Sequence, residues 1–245
     1  MELRYTDFGY LYISPKDDCH KIVDAMLETN YNEEYCIAES FDPGFISKLM
    51  EAGFLVMSMN LSADTDKPPF YILLPKLHLV RSALFYENLH IKKSIKRLLG
   101  KYELRADAEF EYIVDRCVEK HGADWLTPPL VTAIKEIRRT ALSFNSTLHI
   151  TNSSLPYPAS FALYRDNKLV AGEFGVISGK VYTSYSGFYE ESNTGTVQII
   201  LTVKYLHENG FAFFDMGMPL DYKPDLGSVD ISPEEFVRLF RAAAV

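Results

Sequence analysis

The sequence predicts an α+β fold, and three features carry that reading. Ser160–Tyr164, Leu169–Ile177 and Val181–Phe188 are apolar runs joined by Asp166-Asn167 and Ser178-Gly179 turn signals, the pattern of an antiparallel meander. The period then changes, with Val197, Ile200, Leu201 and Leu206 forming a helical stripe between Asn193-Thr194 and Asn209-Gly210. A strand over Phe211–Asp215 and a terminal amphipathic helix complete the alternation.

From the N-terminus, Cys19, Ile22, Val23, Met26 and Leu27 make an apolar helical stripe, and Ile46, Leu49 and Met50 make a shorter one after Asp42-Pro43. The polar run from Asn60 to Pro69 reads as an exposed loop before another apolar strand, with a domain boundary just beyond it. Phe110, Ile113, Val114 and Cys117 repeat at helical spacing within 109–119. Thr127-Pro128 opens a second helix through Arg139, with proline where the first turn tolerates it. The last helix opens on a capping box, Ser232 with Pro233 and Glu235, and continues into Phe236, Leu239 and Phe240.

With 47% hydrophobic and 24% charged residues over 245 positions, the chain has the composition of a globular protein of one large or two modest domains. No apolar run approaches the roughly 20 residues that span a bilayer, and the start, Met-Glu-Leu-Arg-Tyr, lacks the pattern of a secretory signal. A cytoplasmic protein without a membrane span is expected. Three cysteines, Cys19, Cys36 and Cys117, without CxxC spacing, point to reduced thiols, and Cys117 reads as a small buried hydrophobe.

A net charge of −8 disfavours broad attraction to nucleic acid, so any RNA contact has to be local. Lys92, Lys93, Lys96, Arg97, Lys101 and Arg105 form the one basic cluster, which by itself also fits a solvated helix face. His20, His78, His90, His121, His149 and His207 are scattered, so no metal site is expected. Phosphate-binding GxxxxGK[ST] and GxGxxG loops and a GxSxG elbow are absent. Asp215, closing an apolar strand, is the remaining candidate, since a buried carboxylate is costly unless it is hydrogen-bonded or functional. Capping a turn or accepting backbone N–H groups is the alternative for it.

Glu87-Asn88-Leu89-His90-Ile91-Lys92-Lys93-Ser94-Ile95-Lys96-Arg97 resembles the "E-(S/N)-L-H-(I/V)-(S/K)-(R/K)-S" segment of leucyl/phenylalanyl-tRNA protein transferases. Asp124-Trp125-Leu126-Thr127 is similar to that family's "T-W-I-T", and Leu169–Val176 to its "L-V-G-G-x-Y-G-V" strand. Phe214-Asp215 resembles "I-D-C-Q", and Asp225-Leu226-Gly227-Ser228 resembles "S-L-G-A". The resemblance covers most of the chain and is weakest at the N-terminus, where Phe41-Asp42-Pro43 still follows the family pattern.

The resemblance implies a GNAT-like (acetyltransferase-like) mixed sheet flanked by helices over 81–245, with a smaller N-terminal α/β domain over 1–80. It implies transfer of an amino acid from aminoacyl-tRNA to the α-amine of a protein or peptide with a basic N-terminus, without cofactor or metal. Asp215 would orient or deprotonate that amine, and Lys92, Lys93, Lys96 and Arg97 would contact phosphates. Trp125, Glu173, Tyr185, Ser186, Phe188, Ile199, Thr202, Phe214 and Gly217 would form the substrate site, with Trp125 beside the terminal adenosine.

Several positions depart from the family pattern. Its glutamine after the aspartate gives way to Met216-Gly217, and its "G-E-S-M-F" to Ser184-Tyr185-Ser186-Gly187-Phe188. "F-P-W-F" becomes Leu55-Val56-Met57-Ser58. Glu173 stands where the family has a pocket methionine, which implies a polar or cationic aminoacyl group if it lines the pocket. Thr202 replaces another pocket aromatic. Two other readings stay open: a degenerate module binding tRNA or N-degron peptides, and an acyl-CoA-dependent N-acetyltransferase, although the Q/R-x-x-G-x-G/A loop the latter requires is absent.

Overall fold

The computed structural model describes residues 3–62, 68–144 and 155–244, with Phe144 described by its backbone only. His149 and residues 63–67 of the expected loop lie outside the described residues. In chain order the elements are β1 (Arg4–Tyr5), β2 (Leu11–Tyr12), α1 (Cys19–Glu28), β3 (Cys36–Ile37), α2 (Pro43–Glu51), β4 (Leu55–Asn60), β5 (Tyr71–Lys76) and β6 (Arg81–Leu84). They continue as α3 (Lys93–Lys96), β7 (Glu103–Ala106), α4 (Phe110–His121), α5 (Pro128–Phe144), β8 (Tyr157–Arg165), β9 (Lys168–Ser178) and β10 (Val181–Tyr189). Last come α6 (Thr194–Glu208), β11 (Phe213–Asp215), β12 (Val229–Ile231) and α7 (Pro233–Ala243).

Local chemistry explains the boundaries. The Asp18 and Asp42 carboxylates accept the first free amides of α1 and α2, and the Ser232 hydroxyl accepts from the Glu235 amide at 3.3 Å. Only that half of the expected capping box forms, because the Glu235 carboxylate takes both arms of Arg238 instead. Asn193 does precede α6, but with a left-handed φ of 71° and no side-chain capping bond. β11 starts at Phe213 rather than Phe211, since the Phe211 amide still bonds to Leu206 at the end of α6. The meander turns at Asp166 and Asn167, both at positive φ, as a two-residue hairpin requires.

The strands before residue 80 build a three-stranded sheet, β1-β2-β3, and the β4-β5 hairpin. The others form one seven-stranded sheet in the order β12-β6-β11-β10-β9-β8-β7, antiparallel except where β10 and β11 run parallel. α6 makes the crossover between that parallel pair. This is the mixed sheet flanked by helices that the acetyltransferase-like reading requires.

Alternation along the strands divides the interior into two cores. Tyr157, Ala159, Phe161 and Leu163 of β8, with Tyr182 and Phe214, pack with Val197, Ile200 and Val203 of α6. Ala162, Phe174, Val176 and Phe213 face the other way, into one core with α4, α5 and α7 and with Ile22, Phe45, Ile46 and Val56 of the N-terminal elements. The three cysteines are free and buried. Among the described residues no helix is long and apolar enough to cross a membrane.

One ion pair ties these layers together. Arg81, 1% exposed, donates Nε to Asp215 Oδ1 at 2.9 Å and Nη2 to Oδ2 at 2.6 Å, while its Nη1 reaches the Gly53 carbonyl at 3.0 Å. Its guanidinium also lies 3.8 Å from the centre of the Phe236 ring in α7. Arg81→Leu leaves the Asp215 carboxylate buried and uncompensated, so urea denaturation should show a loss of about 3–5 kcal/mol. Adding Asp215→Leu to that variant should recover much of the loss, because the orphaned charge is then gone.

Candidate active site

The site forms where the parallel pair comes apart. β10 and β11 stay in register through Thr183 and Asp215. Beyond that point a bulge between Ser184 and Ser186 bends β10, and the chain leaving β11 turns at Gly217, whose φ of 72° suits glycine. The diverging strands open a cavity of about 1110 Å³. Ser184–Tyr189 line one side and Met216–Met218 another. The first turns of α6 bring Asn193, Gly195, Gln198 and Ile199, while the N-terminal elements bring Leu55, Met57, Lys76 and His78. Met218, Leu220, Tyr222 and Tyr189 form an exposed apolar rim.

Eight of the nine substrate-site residues expected from the sequence line this cavity: Trp125, Glu173, Tyr185, Ser186, Phe188, Ile199, Phe214 and Gly217. Thr202 does not. It is fully buried one helical turn behind Gln198, whose Nε2 points to its hydroxyl at 3.4 Å. Trp125 is half-buried, and its carbonyl accepts from the Ser58 amide at 2.9 Å, which ties its main chain to β4.

Asp215, expected to orient or deprotonate the amine, does not line the cavity. It is fully buried, outside the cavity lining, and Arg81, the Thr183 hydroxyl at 2.8 Å and the Gly217 amide at 3.0 Å fill the acceptor positions of both oxygens. It holds Arg81 and, through the Gly217 amide, the backbone of the cavity wall.

The basic run lies apart from the cavity lining. Lys92 Nζ is paired with Asp225 at 2.5 Å, while Lys93, Lys96 and Arg97 are exposed, and among the described residues no ion pair engages them. The turn carrying Asp225 packs on the start of this run. A Cβ on Gly227, at φ 94°, would sit 1.8 Å from the Asn88 carbonyl oxygen, and the His90 amide bonds to the Leu226 carbonyl at 2.9 Å. Two segments far apart in sequence thus form one unit that only glycine permits.

Sequence reasoning missed Lys76, Gln198 and Lys223, and it gave His78 no part in a site. Lys223, 3% exposed, donates Nζ to the Met216 carbonyl at 2.6 Å and to the Met218 carbonyl. Burial brings its ammonium down to about 8, against the opposing pull of Asp215, Asp230 and Glu173. Burial, and then Arg81, Lys76 and Lys223, push His78 down to about 2, so its ring is neutral and both nitrogens lack a hydrogen-bond partner. Lys76 is held by Glu34 at 2.7 Å. Glu173, 5% exposed, is driven up to about 7 by burial, with the Tyr182 and Ser184 hydroxyls and Lys223 acting in the opposite direction. The cavity therefore joins an apolar interior to a few ionisable groups displaced by burial, as reactive and binding sites often do. Among the described residues no cluster of metal ligands exists.

The family model described as leucyl/phenylalanyl-tRNA protein transferase matches residues 83–241 of the chain. A leucyl/phenylalanyl-tRNA–protein transferase of Pseudomonas putida is 29% identical over 161 residues, which cover 64% of this chain and 65% of that protein. The match to the corresponding protein of Syntrophobacter fumaroxidans is 25% over 219 residues, covering 81% of this chain and 85% of that one. The chain thus spans just under two thirds of the length of its Pseudomonas relative. Among solved structures, FemX superposes over 94% of this chain and 81% of its own length, at 11% identity and a TM-score of 0.45.

Glu173 has a measurable consequence for stability. Its folded-state value of about 7 exceeds the ordinary 4.5, so its contribution is fully present below about 4.5 and is lost as pH rises through about 7. The wild type should lose stability over that window by on the order of 3 kcal/mol from this group. Glu173→Gln should flatten that part of the profile and be the more stable of the two at pH above 7, as urea denaturation at a series of pH values can measure.

Proposed function

Because the chain belongs to the leucyl/phenylalanyl-tRNA protein transferase family, we propose that it transfers an aminoacyl group from aminoacyl-tRNA to the N-terminal α-amine of an acceptor protein or peptide that begins with a basic residue. The observation that carries this reading is the cavity at the β10–β11 divergence, large enough for an aminoacyl-adenosine terminus and lined chiefly by the segments the family model covers. Trp125 and the rim tyrosines Tyr189 and Tyr222 offer flat faces for the terminal adenine.

The reaction requires the amine to be held against an ester carbonyl, and negative charge then develops on the carbonyl oxygen. Lys223 suits that charge: two of its N–H groups are fixed on backbone carbonyls and the third is left for the cavity it lines. Asp215 contributes at one remove, by setting the backbone at Gly217 from which Met216 and Met218 hold Lys223. Binding of the tRNA stem falls to the exposed run before β7, as phosphate contacts that do not read sequence.

Incubation with a pool of radiolabelled aminoacyl-tRNAs and a peptide beginning with Arg or Lys should place label on the peptide's α-amine; no transfer from any donor would overturn the reading. Replacing Lys93, Lys96 and Arg97 with glutamine should weaken tRNA binding and lower the slope of log affinity against log salt by roughly 2–3. Lys92→Gln should add less than any of the three, since Lys92 is already neutralised by Asp225. Affinity unchanged at two salt concentrations would remove the run from the interface.

A further inference from the structure

Four buried side chains leave polar atoms without partners around the cavity. His78, Glu173 and Gln198 line it, and Tyr182 lies next to Glu173. Glu173 and Gln198 belong together. Glu173 pairs across the sheet with Phe161, and Gln198 Nε2 donates to the Phe161 carbonyl at 2.9 Å. With its nitrogen spent there, Gln198 has only its carbonyl Oε1 left, and that oxygen is unpartnered. Glu173 Oε1 is likewise unpartnered. One wall of the cavity thus holds two buried acceptors without a hydrogen-bond partner, and the Tyr182 and Ser184 hydroxyls that act on Glu173 bring it no countercharge.

Such a wall is unfavourable when empty of donors, because a buried acceptor loses its hydration without replacement. An apolar occupant would leave both oxygens dry. A cationic occupant would supply N–H groups to both and a countercharge to the carboxylate. No ion pair within the chain competes for Glu173: Lys223 is fixed on the Met216 and Met218 carbonyls, and among the described residues no cation lies within salt-bridge distance of it. Thr202 supports the wall from behind, holding Gln198 from the next turn of α6.

Resting on the transfer reaction proposed above, we propose that Glu173 and Gln198 select the aminoacyl donor, and that the group they accept is a cationic side chain, an ammonium or a guanidinium. The pocket then works by mutual satisfaction. Donor N–H groups meet the Glu173 carboxylate and the Gln198 side-chain carbonyl, while the aliphatic stem of the side chain passes along Phe188, Ile199 and Phe214. A site built to accept hydrogen bonds discriminates strongly against analogues without donors, because those analogues leave its buried oxygens unpaired. The carboxyl's raised affinity for a proton has the same cause, burial without a countercharge.

The test is competition among lysyl-, arginyl-, glutaminyl-, leucyl- and phenylalanyl-tRNA for transfer to one peptide. It is accompanied by calorimetric binding of two non-transferable probes, 3′-lysylamino- and 3′-leucylamino-3′-deoxyadenosine. Lysyl or arginyl donors should exceed leucyl by roughly tenfold or more, and the lysyl probe should bind more tightly by a similar factor. Glu173→Met should shift both ratios towards leucyl by about tenfold, with Glu173→Gln and Gln198→Leu intermediate. Thermal unfolding confirms that each variant is folded. Transfer of leucine or phenylalanine in preference to lysine, unchanged in Glu173→Met, would overturn the inference and leave the transferase reading standing. Preferential binding of the lysyl probe without transfer from any donor would do the reverse. Equal use of glutaminyl and lysyl donors would overturn the requirement for charge.

Discussion

A guanidinium and a carboxylate sealed from water constrain this molecule more than any other contact. Taking both charges out of solvent is costly, and only near-complete mutual satisfaction offsets the cost. Here Arg81 spends its N–H groups on both Asp215 oxygens and on the Gly53 carbonyl, and Asp215 fills its remaining positions with Thr183 and Gly217. Each partner comes from a different piece: β6, β11, β10, the turn between α2 and β4, and the wall of the cavity. The Phe236 ring against the guanidinium adds α7. None of these pieces can move without unpairing a buried charge. The cavity is therefore bordered by fixed backbone exactly where the sheet stops being continuous, which is what positioning catalysis needs.

That dependence explains what could and could not be read from the sequence. α1, α2, α4, α5, α6 and the β8-β9-β10 meander announce themselves, because each buries one face and so imposes a period on its residues. β6, β11 and β12 are three or four residues long, too short to show a period, and every residue of β6 is buried. Arg81 is the clue within them: a charge inside the run Leu79-Val80-Arg81-Ser82-Ala83-Leu84 demands a buried partner. The carboxylate at the end of β11 was legible for the same reason. What the one-dimensional pattern could not supply is that the two demands answer each other across 134 residues. In a sequence, a buried charge with a structural partner and a catalytic one have the same appearance, so the partners of Asp215 are visible only in the fold.

The cavity lining divides along similar lines. Trp125, Glu173, Tyr185, Ser186, Phe188, Ile199, Phe214 and Gly217 were reachable through family resemblance, since they sit within the range the family model matches. Lys76, His78 and Lys223 were not. Lys223 stands among polar turn residues, where a lysine signals nothing. Only the fold shows that its ammonium is buried and pinned between two carbonyls, and that the uncharged His78 ring shares its cavity.

The matched segments and the departures therefore carry different kinds of information. Where the chain keeps the family pattern, the reason is geometric: Gly227 has to admit the Asn88 carbonyl, and the His90 amide has to reach Leu226, for the basic run to be held against the turn that follows the cavity. Such positions tolerate no alternative and say nothing of the substrate. Several departures, among them Leu55, Met57 and Glu173, instead line the cavity, where a change costs the scaffold little. Glu173 is the exception that proves informative, because burying a carboxyl without a partner does cost the scaffold, as its upward displacement to about 7 shows. A residue that lowers stability in the empty protein and faces a cavity is most simply understood through what fills that cavity. On the proposal above, this chain's own acceptors would decide which aminoacyl group the cavity takes.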